Sequence, residues 1–141
     1  MFWRYDLSKV ARLFILASLI YLCIGVTIGV LFTLYPRAMG WLLAMHAHTN
    51  LLGWVSMMIF GVSYHVLPRF SGRPLYSERL AGLHFTLSNI GLIGLIISWP
   101  LSKVYYGVGL LQFMLTVSAA LYAVSAYMFV YNLGKTVFGK A

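Results

Sequence analysis

Four apolar runs, each about as long as a bilayer is thick and separated only by short polar connectors, leave this chain little choice of fold. They cover residues 10–35, 42–67, 80–99 and 104–133. A helix needs about 20 apolar residues to cross about 30 Å of hydrocarbon, and each run supplies them. Inside hydrocarbon every backbone N–H and C=O must be satisfied within the segment, so each run is expected to be a helix. Composition agrees: 62% of the residues are hydrophobic, 9% are charged and the mean hydropathy is +0.89, beyond the range of a soluble domain. The predicted fold is an all-α, integral membrane four-helix bundle with up-and-down connections, one domain over residues 1–141. The segment 1–9 is polar and aromatic, and the run after it is too long and lacks a small-residue cleavage site, so it is expected to stay as a helix and not to be removed as a signal peptide.

The net charge of +8 invites a nucleic-acid partner, but its distribution argues against one. The basic residues sit in the gaps between apolar runs and form no stripe interleaved with aromatics. Eight of the ten fall on one side: Arg4, Lys9 and Arg12 at the start, Arg69, Arg73 and Arg79 in the middle connector, Lys135 and Lys140 at the end. Arg37 and Lys103 fall on the other. The positive-inside rule then predicts cytoplasmic termini, in a bacterial or archaeal cytoplasmic membrane. Trp3, Tyr35, Trp41, Tyr76, Trp99, Tyr105 and Tyr106 lie near segment ends and read as interfacial anchors. Cys23 stands alone in an apolar run, so neither an intrachain disulfide nor a cysteine metal cluster is available. Gly25 and Gly29 form a small-xxx-small pair suited to a close helix approach.

Chemistry concentrates in the histidines. Three of the four, His46, His48 and His65, lie on the second run, and His84 opens the third. An ionisable side chain in a spanning helix needs a metal, a relay or a buried acceptor to offset its desolvation. Asp6 and Glu78 are the only acids and lie outside the runs, so an intramembrane carboxylate relay is excluded. No phosphate loop, nucleophile elbow or zinc-protease motif is present. At about 100° per residue, His46 and His48 point to opposite sides of a regular helix. The His46 face collects Asn50, Gly53, Trp54, Met57, Gly61 and Tyr64, while the His48 face is aliphatic, with Leu51, Val55, Ile59 and Val62. Such a wall suits lipid, another helix or a haem edge. His65 and His84 share the inner level and form a candidate second site, with Arg69 and Arg73 available for propionates.

His48-Thr49-Asn50-Leu51-Leu52, followed by Phe60-Gly61 and Val66-Leu67-Pro68, resembles helix II of the catalytic subunit of the haem–copper oxidase and nitric oxide reductase superfamily, the reductase branch above all. His84-Phe85 and Asn89-Ile90-Gly91 resemble helix III. In that family the matching histidine is an axial ligand of low-spin haem b on the outer side. The resemblance implies haem b on His48, with His46 as the next ligand or a neighbouring donor and Asn50 and Trp54 tuning or walling the pocket. The family's other ligands come from later helices and have no counterpart here, so oxygen or nitric oxide reduction by this chain alone is not expected. The sixth ligand is then expected from a second copy in a homodimer or left open. The function read from this is one-electron transfer, or haem or gas binding, at the membrane. The alternatives are a cofactor-free accessory or assembly subunit of a respiratory complex and, last, a small-solute transporter.

Overall fold

The computed structural model describes residues 7–139, and every regular element among them is helical. Arg4 and Lys140, counted above as topology determinants, and Trp3, read as an anchor, lie outside the described residues. Four helices are long and apolar enough to cross a membrane: α1 (Lys9–Leu34), α2 (Pro36–Phe70), α3 (Glu78–Val104) and α4 (Gly109–Phe138).

The helix ends follow from local chemistry. The Ser8 hydroxyl accepts from the Ala11 N–H at 3.2 Å to start α1. Ser77 caps α3 through the Leu80 N–H at 3.1 Å, with Glu78 in the first turn. Pro36 opens α2 in a 3-10 turn, where its missing N–H costs nothing. The second and third runs, bounded above at 67 and 99, are each followed by a proline, Pro68 and Pro100, that lies inside a helix continuing to Phe70 and Val104. A proline near a helix end removes only one ladder bond, and membrane helices tolerate that loss. The turn after α2 uses Gly72 at φ +61, a conformation costly for any residue with a Cβ.

Helix α2 is not regular. It runs as α-helix over Met39–His48, opens into a π-helix over Thr49–Ser56, and returns to α-helix over Met57–Phe70. One extra residue in a turn rotates everything beyond it by about 100° relative to an unbroken α-helix. The assumption of regular pitch therefore fails below Ser56. His46, Asn50 and Gly53 still face α1, but Met57, Phe60 and Tyr64 swing into the core between helices.

Helices α3 and α4 form the tightest pair. A Cβ added to Gly91 would stand 2.7 Å from the Tyr122 backbone nitrogen and 2.9 Å from the Ser118 carbonyl oxygen, so only glycine allows this approach. Helix α1 packs on α2 and α3, while α4 covers α3 and the lower half of α2. Gly25 and Gly29 leave room for side chains: Asn50 fills the space beside Gly25 and the His46 ring that beside Gly29. The connector before α3 is locked by Asn132, which accepts from the Ser77 N–H at 3.0 Å and donates to the Ser77 carbonyl at 2.9 Å. Asn132→Ala is expected to cost about 1 kcal/mol by leaving the half-buried Ser77 N–H without its partner, while the Ser77 carbonyl keeps the Ala81 N–H at 3.2 Å, measured as a lowered midpoint of unfolding in detergent. The core beneath holds Phe14, Phe60, Tyr64, His84 and Phe129, with ring centroids 4.5 to 5.8 Å apart.

Candidate functional site

The four histidines occupy four different environments. His46 and His48 do face opposite ways, because Met39–His48 is regular α-helix. The His46 Nδ1–H donates to the Gly25 carbonyl across the α1 interface at 2.9 Å, and its ring lies edge-on to Phe32 at 5.4 Å. With that nitrogen acting as donor, Asn50 makes its bond to the His46 carbonyl, Nδ2 to O at 2.9 Å. His46 and Asn50 thus tie α2 to α1.

His48 turns the other way. Its Nδ1–H donates to the Ala44 carbonyl of its own helix at 2.6 Å, which fixes the tautomer and leaves the Nε2 lone pair bare. Its ring leans on Trp99 of α3, centroids 5.3 Å apart and planes 40° apart. Within the next two turns Leu51 and Val55 are exposed on the single chain, while Ile59 and Val62, also exposed, lie beyond the π turn and are rotated away from the His48 face. A half-buried imidazole held by a backbone carbonyl, presenting Nε2 beside an indole above an aliphatic wall, has the form of a metal-ligating histidine. Trp54 is exposed at the edge of the same helix.

His65 has the opposite tautomer when neutral. Arg69 Nη1 meets its Nδ1 at 2.6 Å, and guanidinium can only donate. Arg69 Nη1 also donates to the His65 carbonyl at 2.6 Å. Arg73 donates to the Gly139 carbonyl at the end of α4. A cavity of about 410 Å³ lies between these groups, lined by Ser8, Tyr64, His65, Arg69, Arg73 and Glu78 among others. His84 does not join it. Fully buried, it shares a hydrogen bond with Tyr64, Oη to Nδ1 at 2.9 Å, and its Nε2 has no hydrogen-bond partner among the described residues. Phe14 and Phe60 lie 4.7 and 4.6 Å from its ring, close enough for an N–H to meet a π face. Tyr64→Phe is expected to destabilise the fold by about 1–2 kcal/mol while leaving the outer level untouched, a difference that thermal unfolding resolves.

Two groups at the outer level escaped the sequence reading. Trp99 read as an interfacial anchor, and its approach to His48 depends on how α2 and α3 pack. Tyr122 of α4 donates from its hydroxyl to the Leu52 carbonyl within the π-helical segment at 3.1 Å. No local signal marks either contact. Among the described residues, no three His, Cys, Asp or Glu side chains are grouped to hold a metal ion.

The family described as Cytochrome C and Quinol oxidase polypeptide I matches residues 40–140, which take in the His48 helix and everything after it. The chain belongs to this family and is an integral membrane protein. It is similar to cytochrome c oxidase subunit 1 of Rhodobacter capsulatus, 45% identical over 34% of this chain and 9% of that one. It is similar to the Cbb3-type cytochrome c oxidase subunit CcoN1 of Stutzerimonas stutzeri, 36% identical over 44% of this chain and 13% of that one. Quinol oxidase subunit 1 of Sulfolobus acidocaldarius is 33% identical over 60% of this chain and 16% of its own length. The matched region is thus less than a fifth of each of these three relatives. No solved structure matches the chain.

Proposed function

We propose that this chain binds protohaem through His48 near the outer face of a bacterial or archaeal cytoplasmic membrane and serves one-electron transfer there. The observation that carries the reading is the His48 tautomer: Nδ1–H is committed to the Ala44 carbonyl at 2.6 Å and Nε2 stands free beside Trp99. A single histidine suits an iron that brings its own equatorial ligands better than a bare ion, which would need a donor cluster. When bound, haem supplies reversible one-electron chemistry at its iron. The protein's part is to hold and shield. Ala44 keeps the imidazole oriented, Trp99 limits its rotation, and Leu51 and Val55 offer an apolar wall that excludes water. Relationship to oxidase subunits that carry haem supports the same reading.

A second copy of the chain supplies the sixth ligand in this proposal, because the exposed aliphatic wall beside His48 leaves that side open to a two-fold partner. Cytoplasmic termini follow from the charge asymmetry and put His48 on the outer side. The test is a reduced-minus-oxidised spectrum with haem extraction on protein expressed with haem supply. A Soret band with one haem per two chains is the expected result for a shared iron. Colourless protein that co-purifies with other respiratory subunits sinks the haem reading and favours a cofactor-free accessory role.

A further inference from the structure

The π-helical segment Thr49–Ser56 begins at the residue after His48, and groups from α1 and α4 reach it directly, the α1 group being held in turn by α3. Tyr122 of α4 donates to the Leu52 carbonyl at 3.1 Å. Tyr21 of α1 lays its ring where a Gly53 Cβ would stand, 2.6 Å from that position, and its hydroxyl donates to Asn89 Oδ1 of α3 at 2.9 Å. Within the segment the Ser56 hydroxyl donates back to the Leu51 carbonyl at 2.8 Å, and the Met57 N–H closing it bonds the Trp54 carbonyl. A wide turn has poorer ladder geometry than α-helix and persists only where its surroundings hold it. Here the holding groups are visible.

The consequence for His48 is geometric. In an unbroken α-helix His48 and Met57, nine residues apart, would lie about 180° apart, so a helix with Met57 in the core would turn His48 away from it. The extra residue brings them to roughly 80°. Both then face α3: the His48 ring meets Trp99, and Met57 Sδ takes the Ser88 hydroxyl at 3.9 Å. The direction of His48 is therefore set by the π turn, and the turn is pinned at Leu52 by one hydroxyl.

We propose that Tyr122 is a positioning residue for His48, acting through the Leu52 carbonyl to hold the wide turn that aims the imidazole along α3. The inference rests on His48 being the functional histidine, but its geometry is measurable without haem. The experiment is carbethoxylation of the haem-free protein in detergent micelles by diethyl pyrocarbonate, read by mass spectrometry. The rate at His48 is taken relative to His65 in the same chain, with amide hydrogen exchange over residues 49–56 recorded in parallel. Tyr122→Phe removes only the hydroxyl. It is expected to raise the His48:His65 rate ratio about fivefold, the population shift that one net hydrogen bond supports. Tyr127→Phe, an exposed tyrosine on the same helix, leaves the ratio unchanged. Tyr21→Phe, which frees the second brace while keeping its ring on Gly53, moves the ratio the same way by a smaller factor and serves if Tyr122→Phe does not fold. A ratio unmoved while exchange over 49–56 accelerates makes Tyr122 a structural brace only and overturns the proposal. A wild-type protein that takes up no haem overturns the haem reading alone, since the rate ratio is measured without it.

Discussion

Replacing His48 by alanine is expected to abolish haem retention, whereas His65→Ala and His84→Ala leave the Soret band in place. The contrast follows from ring chemistry. The His48 Nε2 carries its lone pair outward because Nδ1 is protonated toward Ala44. The His65 Nδ1 accepts from Arg69, which puts the proton of the neutral ring on Nε2 and removes the lone pair a metal needs. The His84 Nε2 is sealed among Phe14, Phe60 and Phe129 with no exposed surface. His46→Ala tests a different point. It removes the Gly25 bond and leaves a gap against Gly29, so a loss of about 2 kcal/mol in stability is expected with the spectrum preserved. Difference spectra and haem extraction on the four variants check all of this at once. A His48→Ala protein with an unaltered spectrum would falsify the ligand assignment.

Gly91→Ala is expected to be strongly destabilising, because the added methyl has no room between α3 and α4. Its Cβ would meet the Tyr122 nitrogen at 2.7 Å, the Ser118 oxygen at 2.9 Å and the Tyr122 Cα at 3.1 Å. All three are backbone atoms, so no rotamer change relieves the overlap and α3 and α4 must separate. Overpacking of this kind costs about 1–3 kcal/mol, and here it also displaces Tyr122 from Leu52. Gly82→Ala, on the same helix with open space where the Cβ would stand, is the matched control and gains slightly from helix propensity. Unfolding of the two variants in detergent should differ by more than 2 kcal/mol. Equal midpoints would mean that the helices are not this close.

How much of this was legible beforehand varies with the range of the interaction. The number of spans, their approximate limits and the opposed directions of His46 and His48 depend on apolar run length and helical pitch, both local quantities. The two internal prolines misled the helix limits by a few residues, since a proline near a helix end removes one bond without stopping the chain. Beyond Ser56 the regular wheel grouped Met57, Gly61 and Tyr64 with His46; Gly61 does lie against α1, beside Ala11, Phe14 and Ile15, while the π turn brings Met57 and Tyr64 into the core. Nothing in Thr49–Ser56 forecasts that turn, because its braces come from Tyr21, Asn89 and Tyr122 on three other helices.

By itself the sequence determined that the chain is helical and membrane-spanning, because hydrocarbon forbids an unsatisfied backbone and each apolar run is long enough to cross it. It also determined which histidine carries the family resemblance, since that lies in a contiguous motif. Only the tertiary structure decided which nitrogen of each ring is bare, which histidine is sealed in aromatics, and that Trp99 stands against His48. The partners that set the tautomers of His48 and His65 lie four residues away on the same helix, but which rotamer brings each ring to its partner is fixed by packing. Those of His46 and His84, and the rings around His48 and His84, stand on other helices, which no spacing along one helix encodes.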